Sequence, residues 1–223
     1  MKLCLGLIAR NEEKMLSLLL PNLSKAFEQE IIAIDYGSTD KTEDILRKYC
    51  KTTIKMERPD NFGEAKTNLI EFAEEAGYDW IYVIDADETF DTRWVDIIKK
   101  TVQENEFDLY YNPRLNYLDV NTVDASVSSY PDLQARLFKL NVGYHYRNPR
   151  HCILYKNNDE QSCWELQYGA VLPMYLIHLK GLRGKEENIK SIFEREINPN
   201  FKIEDVVMVS CKSPLKLEVG VVK

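Results

Sequence analysis

Asp85-Ala86-Asp87 closes the apolar run Trp80-Ile81-Tyr82-Val83-Ile84. Two carboxylates one residue apart, where a buried strand reaches the surface, repel each other. Unit charges about 4 Å apart interact by roughly 4 kcal/mol at an effective dielectric near 20. A divalent cation relieves that repulsion, and hard ions such as magnesium and manganese prefer oxygen ligands. Such an ion keeps positions open for phosphate oxygens, so the triplet points to a nucleoside diphosphate held through a metal. Asp-x-Asp also occurs in ordinary acidic loops, and its neighbours decide between the two.

Several other residues could do chemistry, and each has a plainer reading. Asp35 precedes Tyr36-Gly37 and suits either a turn or a ligand. Glu12 and Glu13 favour the positive end of a first helix or touch a nucleotide. Lys66 lies on a helical pattern whose lysines are ordinarily solvated. Gln134 and Arg136 alternate on one side of a strand, as they would on a solvated edge. Of the three histidines, His145 sits in a structural Tyr-His-Tyr segment, His151 neighbours Arg150, and His178 follows an apolar run. Tyr110, Tyr111, Tyr117, Tyr130, Tyr144 and Tyr146 suit a core, and aromatic faces also stack on sugar rings.

These residues need elements to place them. Leu3 to Ala9 reads as a buried strand, and Glu12 to Phe27 carries Leu16, Leu19, Leu20, Leu23 and Phe27 at helical spacing. Ile31 to Asp35 is a second strand, with Thr39 or Asp40 capping the helix that holds Ile45, Leu46 and Tyr49. Thr52 to Met56 is a third strand, Gly63 to Ala76 a helix, and Trp80 to Ile84 a fourth strand. This alternation implies right-handed crossovers and a mainly parallel sheet with helices on both faces. Beyond residue 106 the segments Phe107 to Tyr111, Leu115 to Val123 and Arg136 to Leu140 read as strands, and Gly184 to Glu196 as a helix. Two Val-rich runs around Ser213-Pro214 suggest a hairpin. In an open α/β sheet, ligands bind at the carboxyl ends of strands where strand order reverses. Ala9 to Glu12, Asp35 to Ser38 and Asp85 to Asp87 would all open on that crevice.

Composition narrows the class. The 223 residues, 44% hydrophobic and 29% charged, describe a folded domain with a real core. A net charge of −7 leaves no basic excess for nucleic acid. The apolar start from Lys2 to Ala9 is cut short by Arg10-Asn11-Glu12-Glu13, too brief for a membrane span. Cys4, Cys50, Cys152, Cys163 and Cys211 are odd in number and form no C-x-x-C pair, which suits reduced thiols in the cytoplasm. The expectation is one domain over 1–223, with a nucleotide half to about residue 105 and an acceptor half with a tail beyond it.

At these residues the chain resembles a family 2 glycosyltransferase of the GT-A fold. The matching stretches are "LIARNEE" at 7–13, "IIAIDYGSTDKTEDI" at 31–45, "NFGEAKTNLIEFA" at 61–73 and "WIYVIDADE" at 80–88. "YPDLQARLFKL" at 130–140 and "YLIHLKG" at 175–181 are similar to a subgroup that includes lipopolysaccharide core glucosyltransferases. The resemblance implies a Rossmann-like mixed, mainly parallel sheet and transfer of a sugar from a nucleotide diphosphate, usually UDP, with inversion. It implies Ala9 and Glu12 along the nucleoside, Asp35 on the base, Asp85 and Asp87 serving metal and sugar, and His178 completing the metal or diphosphate site. Lys66 and Arg136, within matched stretches, are assigned to the donor, and the metal is manganese or magnesium. A saccharide, a lipid-linked saccharide reached peripherally at a membrane, or a polypeptide would be the acceptor.

The chain departs from the family pattern in three places. Tyr36 stands where many members have a second Asp, Lys66 replaces a frequent Arg, and His151-Cys152 stands where the subgroup has His-Glu. Inversion needs a base opposite the departing UDP, and Asp132 in "YPDLQARLF" is the expected one, with Glu165 and His151 in reserve. Two rival readings remain. A catalytically inactive nucleotide-sugar-binding module is favoured by Cys152. A nucleotidyltransferase would need a glycine-rich basic loop after the first strand, which "ARNEEK" lacks.

Overall fold

The computed structural model describes residues 1–119, 121–124, 132–148, 152–182, 184–196 and 207–209. The first half runs β1 (Leu3–Ala9), α1 (Glu13–Ala26), β2 (Ile31–Asp35), α2 (Thr42–Tyr49), β3 (Thr52–Lys55), α3 (Phe62–Glu75) and β4 (Trp80–Asp85). β1 and β2 have the expected bounds, and the others shift by a residue or two at their ends, where helices fray. β1, β2 and β4 are apolar almost without alternation because both faces are covered, while the edge strand β3 is partly exposed. Leu16, Leu19, Leu20 and Leu23 of α1 pack on one face with Leu5, Leu7 and Ala33. Ala65, Leu69, Ile70 and Ala73 of α3 pack on the other with Cys4, Ile8 and Ile32.

The second half holds β5 (Glu88–Thr89), α4 (Val95–Glu104), β6 (Leu109–Tyr117), β7 (Thr122–Asp124), β8 (Asp132–Lys139), β9 (Tyr144–Arg147), β10 (Ile153–Lys156), β11 (Ala170–Val171), β12 (Leu176–His178), α5 (Glu186–Glu196) and β13 (Val207–Val209). The main sheet runs β13-β7-β6-β8-β4-β1-β2-β3. β1 pairs in parallel with β2 and with β4, while β8 is antiparallel to both β4 and β6. Strand order therefore reverses between β1 and β4, and the register sets Ile8 beside Asp85 at that point. β9 and β10 form a separate two-stranded sheet.

Three expectations are corrected here. The segment from Phe107 and the start of the segment from Leu115 are one strand, β6, which runs through Pro113, while the end of the second segment falls in β7. β11 pairs Tyr110 and Tyr111, and β12 pairs Arg114 to Asn116, so Pro113 falls in the gap where no strand on that side needs its missing N–H. β8 begins at Asp132, not Arg136. α5 begins at Glu186, two residues late. Of the tail, only Val207–Val209 is described, as a strand parallel to β7; the Ser213-Pro214 hairpin, Cys211 and His151 lie outside the described residues. No helix among the described residues is long and apolar enough to cross a membrane.

Local chemistry fixes the ends that face the crevice. The Asp40 carboxylate accepts from the N–H of Thr42 at 3.0 Å and of Glu13 at 3.2 Å, so one side chain serves the starts of both α2 and α1. Asn61 caps α3 by accepting from the Gly63 N–H at 2.9 Å. Gly63 also donates to the Asn148 carbonyl at 3.1 Å, which seats α3 against β9. A Cβ there would lie 2.8 Å from the Arg147 carbonyl carbon, and backbone cannot step aside as a flexible side chain can. Gly63→Ala should therefore lower stability by about 1–3 kcal/mol through forced overpacking. Urea unfolding measures this, and an unchanged midpoint would contradict the close docking of α3 on β9.

Candidate active site

A cavity of about 1020 Å³ opens where β1, β4 and β8 end and begin. Its wall includes Ala9, Glu12, Lys66 and Asp85 from the first half, and Asp87, Asp132, Arg136 and His178 from the second. Asp35 is the one assigned residue that does not reach the wall. It is fully buried at the end of β2, where Oδ1 accepts from the Ser38 N–H and hydroxyl and Oδ2 has no hydrogen-bond partner. Glu165, a reserve base, sits in a turn with its carboxylate accepting from the Ser162 N–H and hydroxyl, and it does not line the cavity.

Charge crosses the cavity floor in alternation. Lys66 Nζ meets Asp85 Oδ1 at 2.7 Å, and Asp85 Oδ2 meets Arg136 Nη2 at 3.1 Å. Arg136 Nη2 continues to Glu88 Oε1 at 2.6 Å, and Glu88 Oε1 accepts from Arg114 Nη1 at 3.0 Å. Arg114 Nη2 then reaches Asp132 Oδ2 at 2.6 Å. Burial alone would raise the Asp85 carboxyl, but Lys66 and Arg136 outweigh it and hold the group well below the usual carboxylate range. The repulsion expected to draw a metal to Asp85 is thus met by two protein cations. Lys66 is further enclosed, 5.5 Å from the Tyr146 ring centroid and 5.9 Å from that of Phe62.

Asp87 lies on the other side of this chain, with its Oδ2 3.6 Å from His178 Nε2. Asn116 governs that histidine. Its Nδ2 donates to Asp132 Oδ2 at 3.0 Å, which turns its Oδ1 toward His178 Nδ1 at 2.6 Å. A carboxylate only accepts, so the amide orientation is set, and Nδ1 must carry the proton that Oδ1 accepts. In the neutral imidazole the lone pair then sits on Nε2, on the Asp87 side. A carboxylate beside a lone-pair imidazole is a donor set that fits a divalent ion such as manganese. Among the described residues no cluster of three or more His, Cys, Asp or Glu side chains is gathered on one point, so further ligands would come from substrate and water.

Sequence reasoning missed Glu88, Arg114 and Asn116. Glu88 ends the quoted stretch "WIYVIDADE", but only the fold shows that it is 0% exposed and clamped by two guanidiniums. Its Oε2 also accepts from the Asp85 N–H at 2.9 Å, which shapes the turn between β4 and β5. Cys152 lines the cavity as a half-buried thiol whose pKa is raised by burial.

A family model described as "Glycosyl transferase family 2" matches residues 4–161, more than half the chain. The chain belongs to glycosyl transferase family 2. Among curated proteins, it is 31% identical over 203 residues to the SPbeta prophage-derived glycosyltransferase SunS of Bacillus subtilis. That match covers 86% of this chain and 43% of the relative, so the chain spans less than half the relative's length. Solved structures with a similar fold include S. aureus TarS in complex with UDP-GlcNAc, at 20% identity and a TM-score of 0.44, covering 52% of this chain and 36% of that one. Another is glucosyl-3-phosphoglycerate synthase from Mycobacterium tuberculosis with Mn2+ and UDP-Glc, at 21% identity and a TM-score of 0.41, covering 51% and 43% of the two chains. The sheet is the mixed, mainly parallel GT-A arrangement with helices on both faces.

The alternating charges make a firm expectation. Glu88→Gln keeps the shape of the side chain but leaves Arg114 and Arg136 short of a buried negative charge. It should cost about 3–5 kcal/mol of stability, the range for breaking a buried ion pair from one side. Thermal or urea unfolding reads this directly, and a loss below about 1 kcal/mol, the worth of an exposed pair, would mean that Glu88 does not hold the floor together.

Proposed function

We propose that this domain transfers a sugar, with inversion, from a nucleotide-diphosphate donor to an acceptor hydroxyl, and that it uses a divalent metal. The observation that carries this reading is the Asp87–His178 pair at the point where strand order reverses, with its imidazole oriented by Asn116. The nucleoside end lies along Ala9 and Glu12. Asp35 Oδ2, buried and unpartnered just behind the wall beside its register partner Ala9, is the acceptor we assign to an N–H of a base such as uracil, which would have to reach past the wall to meet it. Lys66 and Arg136 serve the donor by fixing Asp85 at the cavity wall. Asp87 and His178 hold manganese or magnesium, which places positive charge beside the departing diphosphate oxygens. Four free cysteines, Cys4, Cys50, Cys152 and Cys163, fit a reducing cytoplasm.

Asp132 is the proposed base, on the cavity wall and tied to the metal-side histidine through Asn116. Arg114 Nη2 already engages its Oδ2, which is the observation that favours the second reading, binding without transfer. Arg114 is also paired with Glu88, so it keeps a carboxylate when Asp132 takes up a proton.

Asp87→Asn should leave the fold intact and cut manganese-dependent UDP affinity by at least the roughly 10–100-fold that loss of a supporting residue costs a metal site. Calorimetric titration of UDP with and without manganese checks this, and unchanged affinity removes the metal from the proposal. Asp132→Asn should bind UDP normally while donor turnover falls by about 10²–10⁴-fold, the usual cost of a lost general base. Turnover near the wild-type rate would rule Asp132 out. A wild-type chain that binds UDP but never turns over a UDP-sugar would favour the binding module.

A further inference from the structure

The cavity has a second character, away from the charged floor. Trp164 lies on its wall and is 50% exposed, an unusual position for the largest apolar side chain. The turn that carries it is tightly tied. Cys163 donates to the Leu154 carbonyl at 3.0 Å, Leu166 to Ser162 at 3.1 Å, and Tyr168 to Cys163 at 3.0 Å. The Ser162 hydroxyl donates to Glu165 at 2.7 Å, closing the turn with a side chain. Tyr111 braces the indole edge-on, with centroids 5.7 Å apart and planes at 71°. The indole is thus held out on a rigid mount in a cavity whose wall also carries Gln134 and Asp132.

We propose that Trp164, braced by Tyr111, is the acceptor platform, and that its occupant is a pyranose ring. This rests on the glycosyltransferase reading of the same cavity. A pyranose presents an apolar C–H face to an aromatic plane and hydroxyls to flanking amide and carboxylate groups, and the wall offers both. The volume, about 1020 Å³, reaches the top of the roughly 300–1,000 Å³ range of single-ligand pockets. A donor therefore leaves room for a second ring. An extended polypeptide would gain most by adding a strand to a free edge. On the two-stranded β9–β10 sheet nearby, Cys163 already occupies the Leu154 carbonyl of β10, and Thr67 exchanges hydrogen bonds with the Tyr146 N–H and carbonyl of β9.

The test uses the full chain with UDP and manganese, titrated with methyl β-D-glucopyranoside, methyl β-D-galactopyranoside and methyl N-acetyl-β-D-glucosaminide. A disordered Gly-Ser-Thr peptide is titrated in parallel. Tryptophan emission is the reporter, and subtracting the Trp164→Phe spectrum isolates Trp164 from Trp80 and Trp94. At least one pyranoside should change that difference signal saturably. Trp164→Ala should lower kcat/KM for the pyranoside acceptor by about tenfold, equivalent to roughly 1.4 kcal/mol, at unchanged UDP affinity, while Trp164→Phe keeps most of the rate. A chain that binds UDP but shows no Trp164 response to any pyranoside, a response to the peptide alone, or full transfer by Trp164→Ala each overturns the platform. Absence of UDP binding in the wild-type chain refutes the donor reading instead, so the two failures are separate.

Discussion

A row of six alternating charges, Lys66–Asp85–Arg136–Glu88–Arg114–Asp132, holds the two halves of this domain together at the cavity floor. Its members come from α3, β4, β8, β5 and β6, so it crosses the seam where the parallel strands meet the antiparallel ones. Glu88 and Arg136 are almost wholly buried. Charges so placed are tolerable only with close partners of opposite sign, because the desolvation penalty of each is several kcal/mol. That penalty makes the row an all-or-none feature. Any displacement of β8 relative to β4 would strand a buried charge, and the seam is correspondingly rigid. Rigidity there is what a transfer site needs, since pre-set dipoles and charges cost no reorganisation when charge develops.

The row also explains why the two aspartates of Asp85-Ala86-Asp87 do different work. Asp85 is saturated by Lys66 and Arg136 and belongs to the floor. Asp87 faces His178. Three cations and three anions cancel along the row, so the floor offers no net positive charge to a diphosphate. The charge that a diphosphate requires has to come from elsewhere on the wall. Under the proposed reading a divalent ion at Asp87 and His178 would supply it, together with Arg10 and Arg58, which also line the cavity.

Much of the first half could be read directly from the sequence, because apolar runs covered on both faces and helical stripes such as Leu16, Leu19, Leu20 and Leu23 are local signals. Convergence of Ala9, Glu12 and Asp85 followed from the rule that ligands gather at strand ends where order reverses. The second half was less legible. β6 incorporates Pro113, a residue that reads as a break, and it does so because the gap between β11 and β12 falls at that position. Arg114 and Asn116 carried no local signal, and Glu88 only its place at the end of a matched stretch. An isolated Glu or Arg in a strand looks solvated, and only the pairing of β5, β6, β8 and β12 brings these side chains to one place. Asp35 shows the converse: its place at the end of β2 was legible, but its burial behind the cavity wall was not.

Asn116 connects the two sides of the site. It holds His178 through its carbonyl oxygen and Asp132 through its amide nitrogen, and a flipped amide would set acceptor against acceptor at Asp132. The His178 imidazole and the Asp132 carboxylate are therefore positioned by one planar group on β6. Arg114, two residues earlier on the same strand, ties that carboxylate to the charged floor. Alternation along a strand puts residues 114 and 116 on one face, so β6 presents both groups together. One strand would thereby set the spacing between the proposed donor side and the proposed acceptor side. The in-line displacement of the proposed reaction would depend on that spacing.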